Sequence, residues 1–188
     1  MLKRISAGLV CALLGAASLS AQMWPTKNEQ LGATASGAPK VRNEWYIDSA
    51  TIALAYSRPS LKGRPLDAVV AKDTPWRAGD DDAATLTSNK PLVFGNINVP
   101  AGTYSLWIIP TGPSWTLAIN KATDAAAKTY AQAQDVGRIA MKTDKLPKPA
   151  DLFSLTIEPS SDRVTGGVQL AFEFGEVRAV APFVVRRS

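Results

Sequence analysis

The residues best suited to chemistry are concentrated between positions 56 and 85 of the chain. Four cations, one tryptophan and three consecutive aspartates lie there: Arg58, Lys62, Arg64, Trp76, Arg77 and Asp80–Asp82. A guanidinium beside a carboxylate forms a charge-assisted, bidentate ion pair. An aromatic ring beside a cation offers a surface on which a sugar can stack. We therefore take as candidate binding residues Arg58, Lys62, Arg64, Trp76, Arg77 and Asp82.

The same motifs also have a purely structural interpretation. Pro59 fixes φ and Gly63 permits a positive φ, so the two residues suit a turn. The arginines would then hold the turn by binding carbonyl or carboxylate oxygens. Under either interpretation we expect the motifs to converge at one edge of the domain, because the chain leaves a strand at Tyr56 and returns to one near Thr85.

Carboxylates allow two further hypotheses. Asp80, Asp81 and Asp82 are candidates for a calcium site, although the usual calcium loop, with Gly at its sixth position and Glu at its twelfth, is absent. A hydrolase with paired carboxylates would need two of them about 5–10 Å apart across a cleft. The available acids for such a pair are Asp67, Asp73, Asp80, Asp81, Asp82 and Glu173. No catalytic residue and no cofactor is predicted.

Missing residue types exclude several chemistries. The chain has no histidine and one cysteine, Cys11, which lies in the N-terminal apolar segment. Beyond that segment, a thiol nucleophile, a Ser-His-Asp triad, a disulfide and a His or Cys ligand to zinc, copper or haem are excluded. The net charge is +5, but the charged residues are scattered, so we expect no nucleic-acid partner.

The N-terminus has the pattern of a secretory signal. Lys3 and Arg4 precede an apolar run over residues 5–14, and small residues at 16–21 suit cleavage. The run is shorter than the roughly 20 residues that a membrane span needs. We predict a signal peptide over residues 1–21, a flexible leader over 22–40 and one domain over 41–188. The protein would be exported, periplasmic or secreted, with no transmembrane segment after cleavage.

Alternating apolar residues predict a β-rich domain. The predicted strands cover residues 51–56, 103–109, 115–119, 152–157, 168–174 and 177–185. A short turn at 110–114 joins the second and third strands as a hairpin, and Gly166-Gly167 joins the fourth and fifth. One short Ala-rich surface helix is predicted over Asp124–Gln134. The fold class is all-β, an antiparallel β-sandwich with at most that helix.

Several motifs resemble a bacterial family of exported proteins described as a domain of unknown function, DUF2911. The matching elements are Tyr56-x-Arg58-Pro59-Ser60-x-Lys62-Gly63-Arg64, Trp76-Arg77-x-Gly79, Pro100–Leu106, Ile109-Pro110 and Trp115-Thr116 leading to Asn120-Lys121. The similarity spans about Val41–Phe183. The family usually has Ala-Asn-Glu-Ala-Thr at Asp80–Ala84 and a Trp at Phe174. The resemblance implies a β-rich exported domain and no particular activity.

The sequence therefore favours a non-enzymatic binding module. Its partner would be a small or carbohydrate-like ligand, a glycan or a protein of the cell envelope. β-Sandwiches often carry such sites on their loops or on a concave face. The alternative is the hydrolase with paired carboxylates.

Overall fold

The computed structural model of the protein describes residues 25–123, 129–160 and 167–186. In these ranges the chain forms ten strands and two short 3₁₀ turns, Leu66–Ala68 and Gln132–Gln134. The strands are β1 Lys27–Ala33, β2 Pro39–Ile47, β3 Ala50–Ser57, β4 Ala84–Ser88, β5 Leu92–Phe94, β6 Ile97–Val99, β7 Gly102–Thr111, β8 Ser114–Asn120, β9 Asp135–Pro159 and β10 Val168–Val185.

Every pair of neighbouring strands is antiparallel, in the order β1-β2-β3-β4-β7-β8-β9-β10-β5-β6. This topology confirms the prediction of an all-β, antiparallel fold. The division into two facing sheets of a sandwich stays a prediction, since hydrogen bonds join the strands in one continuous order.

The long strands β9 and β10 bring distant parts of the sheet around one core. β9 begins against β8, where Trp115 pairs with Met141, and near its end Leu152 bridges to Ser60, just beyond β3. Side chains from β2 to β10 meet in a single buried cluster, whose largest members include Trp45 and Phe172. Burying one such side chain stabilises the fold by about 1.5–3 kcal/mol, so this core is the main stabilising feature.

The predicted strand pairs are confirmed. β7 and β8 form the expected hairpin, with Ile108 opposite Leu117, and β9 pairs with β10, with Leu155 opposite Phe172. One detail is wrong: the strand predicted over residues 177–185 does not begin separately but continues β10. Gly175 has a φ of +59° at a register shift of β10. A bulge of this kind bends a strand without ending it.

The segment predicted as a flexible leader contains structure from Lys27 onward. β1 pairs with β2 along Lys27–Ala33, although all of its residues are exposed. Its main-chain hydrogen bonds to β2 hold it in place, and it lacks the apolar alternation by which a strand is recognised in a sequence.

Two other predictions, the signal peptide and the helix, fall outside the described ranges in whole or in part. The signal peptide over residues 1–21 is outside them, as are residues 124–128 of the predicted helix. The described remainder of that helix contains only the 3₁₀ turn Gln132–Gln134. In the three described ranges, no helix has the length and apolar character needed to cross a membrane.

Candidate functional site

The first sequence motif is attached to the edge of β9. The Pro59 carbonyl accepts a hydrogen bond of 2.9 Å from the main-chain N–H of Phe153, and Ser60 bridges to Leu152. The hydroxyl of Ser60 and the main-chain N–H of Lys62 both donate to the carboxylate of Asp151. Main-chain bonds and one carboxylate therefore fix residues 59–62 on the sheet.

The second motif, which begins at Trp76, pairs with β7 beyond the point where the pairing of β4 with β7 ends. β4 pairs with β7 as far as Leu106, and beyond that point Trp76 takes its place. Trp76 and Ile108 exchange two main-chain hydrogen bonds, of 2.8 and 2.7 Å. Main-chain bonds thus tie the segment between β3 and β4 to the sheet at each of its two motifs, so both motifs start from rigid backbone.

Residues 78–83 form a loop that closes where the main-chain N–H of Ala84 donates to the Arg77 carbonyl over 2.9 Å. The loop begins at buried Ala78, which has a φ of +48°. At Gly79 the backbone passes so close to its neighbours that an added Cβ would lie 2.9 Å from Ser57 Oγ and from the carbonyl of Asp82. Only glycine fits this position without a shift of the loop.

Two of the three aspartates in this loop bind the turn between β1 and β2. Asp80 accepts hydrogen bonds from the hydroxyls of Thr34, at 2.9 Å, and Ser36. Asp81 accepts one of 2.8 Å from the main-chain N–H of Ala35. The acidic loop therefore holds the turn against the domain.

Asp82 has a different partner, Lys40 of β2, at 2.9 Å. Both side chains of this pair are partly exposed, so the pair stabilises the protein by no more than about 1 kcal/mol. Within the described ranges no three acidic side chains gather in an arrangement suited to a metal ion. Asp80, Asp81 and Asp82 instead point to three different sets of partners.

Arg77 does not form the ion pair expected beside the acidic loop. Its Nη1 donates over 2.7 Å to the main-chain carbonyl of Asp81, and none of the ion pairs in the described ranges involves Arg77. The loop folds so that its carbonyl, and not a carboxylate, faces the guanidinium. Arg77 thus stabilises the loop as a donor, and it has no ion-pair partner among the residues that the structure describes.

The other two candidate arginines, Arg58 and Arg64, also bind main-chain carbonyls. Arg58 Nε donates to the carbonyl of Phe153 over 3.1 Å, and Arg64 Nε donates to the carbonyl of Leu61 over 3.0 Å. Lys62, between them, is exposed and has a φ of +50°, which is uncommon for a residue with a side chain. Carbonyls anchor both guanidinium groups without neutralising them.

These residues line two adjoining cavities. The larger, which we call the groove, has a volume of about 800 Å³. Its lining residues are Ala35, Lys40, Pro59, Arg64, Ala68, Val69, Trp76, Arg77, Gly79, Asp80, Asp81 and Asp82. The smaller, which we call the side cavity, has about 390 Å³ and is lined by Ser36, Gly37, Ala38, Pro39, Arg58, Pro59, Ser60, Lys62, Arg64, Asp80 and Leu152. Pro59, Arg64 and Asp80 belong to both.

All six candidate residues from the sequence lie around these cavities. Arg58 and Lys62 line the side cavity, and Arg64 lines both cavities. Trp76, Arg77 and Asp82 line the groove. The sequence reasoning missed the contribution of residues 34–40, which it assigned to the leader. In the sequence of this segment, the hydroxyl residues Thr34 and Ser36 were the feature that indicated polar contacts with the rest of the domain.

Trp76 joins the groove to the core. Its ring stacks on Phe174, with centroids 6.0 Å apart, and packs edge-on against Phe153 at 5.0 Å. It is half-buried, so part of its surface belongs to the groove. The other described tryptophans, Trp45, Trp107 and Trp115, are buried and do not offer a stacking surface. Trp24 lies outside the described ranges.

The remaining acids of the hydrolase hypothesis lie apart from the groove. Asp67 lines a different, smaller cavity. Asp73 is exposed. Glu173 of β10 and Glu158 of β9 both bind the guanidinium of Arg178, which lies on β10. None of these acids belongs to the lining of the groove, in which the aspartates of the acidic loop lie.

In a second polar cluster, near the start of β9, the side chains form hydrogen bonds with one another. The Asp135 carboxylate accepts hydrogen bonds from Asn120, at 2.8 Å, Tyr130, at 2.5 Å, and Arg138, at 2.9 Å. Burial, and then the bond to Asp135, raises the pKa of Tyr130 above its usual range. With each of its groups satisfied, this cluster holds β8 and β9 together.

Comparison with known proteins places the domain in a family. The family described as "Protein of unknown function (DUF2911)" matches residues 38–182, which is most of the chain. The chain belongs to the DUF2911 family. No curated protein and no solved structure matches it. In this DUF2911 member the matched residues run from the turn before β2 into β10, and they include all six candidate residues.

Proposed function

We propose that this protein is an exported, non-enzymatic binding module that takes a small or carbohydrate-like ligand in the groove. The groove itself carries the proposal. Its volume of about 800 Å³ is within the roughly 300–1,000 Å³ of small-molecule sites. A concave site of this size suits a small ligand or a short glycan better than the surface of an envelope protein.

The lining supplies both kinds of contact that a small ligand needs. Val69, Ala68 and Trp76 give it apolar surface. Arg64 and Arg77 give it hydrogen-bond donors, since each guanidinium has five N–H groups and carbonyls occupy only some of them. The loop that carries Arg77 is itself held by main-chain bonds, so its donors are oriented before a ligand arrives.

A hydrolase is the less favoured alternative. Asp80, Asp81 and Asp82 do lie in the groove beside Arg77, as paired acids would have to. However, oxygens of Asp80 and Asp81 accept hydrogen bonds from the β1–β2 turn, and Asp82 pairs with Lys40. Carboxylates committed to holding a turn are poorly placed to exchange protons with a substrate.

The proposal is tested by thermal unfolding of the purified full chain with neutral sugars, short glycans, sugar acids and small organic acids. A ligand at 100 times its dissociation constant stabilises the folded state by about 2.7 kcal/mol, so binding appears as a higher melting temperature. Ala68→Trp places a large ring in the groove and should abolish the shift. Ala101→Trp, at an exposed position outside the cavities described above, is the matched control and should retain it.

Two results would contradict the proposal. One is that no ligand of the panel stabilises the chain. The other is a shift that persists in Ala68→Trp, since the ligand would then bind elsewhere. Release of product from a ligand during the incubation would favour the hydrolase.

A further inference from the structure

The side cavity is lined by several cations, which the proposed binding of a small or carbohydrate-like ligand does not by itself require. Three cations line it, Arg58, Lys62 and Arg64, with one carboxylate, Asp80. We propose that this cavity is a subsite for the anionic group of the ligand, an oxyanion such as a carboxylate or a phosphate. This inference rests on the proposed function of the adjoining groove.

The neighbouring acids compensate the three cations only in part, and in the part of the chain that the structure describes none of them forms an ion pair with a cation of the side cavity. Asp80 accepts hydrogen bonds from the hydroxyls of Thr34 and Ser36. The other acid nearby, Asp151, accepts them from the Ser60 hydroxyl and the main-chain N–H of Lys62. The ion pairs found in the described ranges leave out all three cations. Three cations against the two carboxylates Asp80 and Asp151 leave a net charge of +1, so the side cavity keeps an excess of positive charge.

Both guanidinium groups are held so that some donors stay available. Arg58 uses Nε, and Arg64 uses Nε and Nη2, for main-chain carbonyls. The remaining terminal N–H groups have no acceptor among the described residues. A guanidinium of fixed orientation is well suited to an oxyanion, because its planar N–H groups match the two oxygens of a carboxylate or phosphate.

Gathering three like charges around one cavity has an energetic cost. The like charges repel one another, and an anion between them would reduce that repulsion and add attraction. Binding sites of this kind lower the stability of the folded protein when no ligand is bound. Among the described residues the Lys62 ammonium has no ion-pair partner, and the left-handed backbone of Lys62 adds strain. These are features expected of a residue retained for a ligand.

The two cavities together define the ligand class. They share Pro59, Arg64 and Asp80, so an anionic group in the side cavity leaves the rest of the molecule in the groove. There it meets the apolar surface of Val69 and Trp76. The ligand is thus a small organic anion, with its charged end at the three cations and its body along the groove.

The test compares probes with and without a negative charge. Glucuronate and glucose differ by one carboxylate in place of a hydroxymethyl group, and inorganic phosphate probes the anion without a sugar. Binding of each to the purified full chain is measured by thermal shift and calorimetry at low and at high sodium chloride. We expect glucuronate and phosphate to bind, more weakly at high salt, and glucose to bind at least about tenfold more weakly than glucuronate.

Lys62→Gln is the decisive variant, because in the described part of the chain Lys62 bonds through its main-chain N–H and its ammonium has no ion-pair partner. It should lower the affinity for phosphate and glucuronate at least about tenfold, while the melting temperature without ligand stays the same or rises. Arg58→Gln should lower it similarly, though with some loss of stability from the bond to Phe153. Lys148→Gln removes the same charge from an exposed position on β9 and should change neither.

The outcomes separate this inference from the proposed function. Equal binding of glucose and glucuronate that Lys62→Gln does not change would overturn the anion subsite and leave the groove as a site for neutral ligands. No binding of either anionic probe would overturn the subsite, whatever the screen against Ala68→Trp shows. Anion binding that Lys148→Gln weakens as much as Lys62→Gln would mean that net charge alone attracts anions, and would also overturn it.

Discussion

The guanidinium of Arg77 donates to the main-chain carbonyl of Asp81, with Nη1 and O 2.7 Å apart. A carboxylate partner was expected from the sequence, because three aspartates follow within five residues. The carbonyl serves the same purpose in shaping the loop, but it does not neutralise the cation. The charge remains available at the groove, where the proposed ligand would bind.

Arg77→Ala should lower the free energy of unfolding by about 1–2 kcal/mol. A hydrogen bond from a charged donor is worth about 1.5–3 kcal/mol, and Arg77 is half-buried, so water replaces part of it. Urea denaturation measures the loss. Arg186→Ala, at an exposed arginine, is the control and should cost under about 0.5 kcal/mol. A loss of 3–5 kcal/mol would instead indicate a buried ion pair.

Gly79→Ala should destabilise the protein by about 1–3 kcal/mol, because the new Cβ would lie 2.9 Å from Ser57 Oγ and the Asp82 carbonyl. Gly63→Ala is the comparison, since there the Cβ meets nothing within 4 Å and only the left-handed backbone is penalised. That penalty is about 1 kcal/mol. Chemical denaturation compares the two variants, and a Gly79→Ala cost no larger than that of Gly63→Ala would speak against crowding.

The stability of the protein should fall as the pH rises above 10, in part because of Tyr56. Burial raises the pKa of Tyr56 above its usual value of 10.0, against smaller opposing effects that include a hydrogen bond with Leu155. Above pH 10 the unfolded chain loses this proton while the folded chain retains it. The unfolded state then binds fewer protons, and the free energy of unfolding decreases until the pH passes the folded pKa.

Tyr56→Phe removes the titrating group and should make the decline above pH 10 shallower. Denaturation at pH 8 to 11 measures the slope for each protein. Tyr46→Phe is the matched control, since Tyr46 is 66% exposed, and should leave the slope unchanged. Equal slopes for Tyr56→Phe and the parent chain would refute the contribution of Tyr56.

Export is tested by mass spectrometry of the protein made in a Gram-negative host. The small residues before position 22 predict a mature N-terminus at Ala21 or Gln22. Replacing Lys3 and Arg4 by glutamate should reduce export, because a signal peptide needs a basic N-terminal region. Membrane-bound protein that retains Met1 would contradict the prediction.

The sequence by itself determined the fold class and the limits on chemistry. The alternation of Ile52, Leu54 and Tyr56 predicted a strand with one buried face, and all three are buried in β3. A period of two residues is a local property of the backbone, so it can be read without knowing what the strand packs against. The same holds for the missing histidine, since no fold can supply a residue type that the chain lacks.

Only the tertiary structure decided which groups the candidate residues meet. The hydroxyl of Thr34 binds Asp80 across 46 positions of sequence, and Arg58 binds the carbonyl of Phe153 across 95. The register of strands that pack around a common core determines which of these distant residues become neighbours. A local sequence pattern does not contain that information. For this reason the composition indicated that cations and acids would converge, but not that carbonyls would anchor the arginines and leave their charges unpaired.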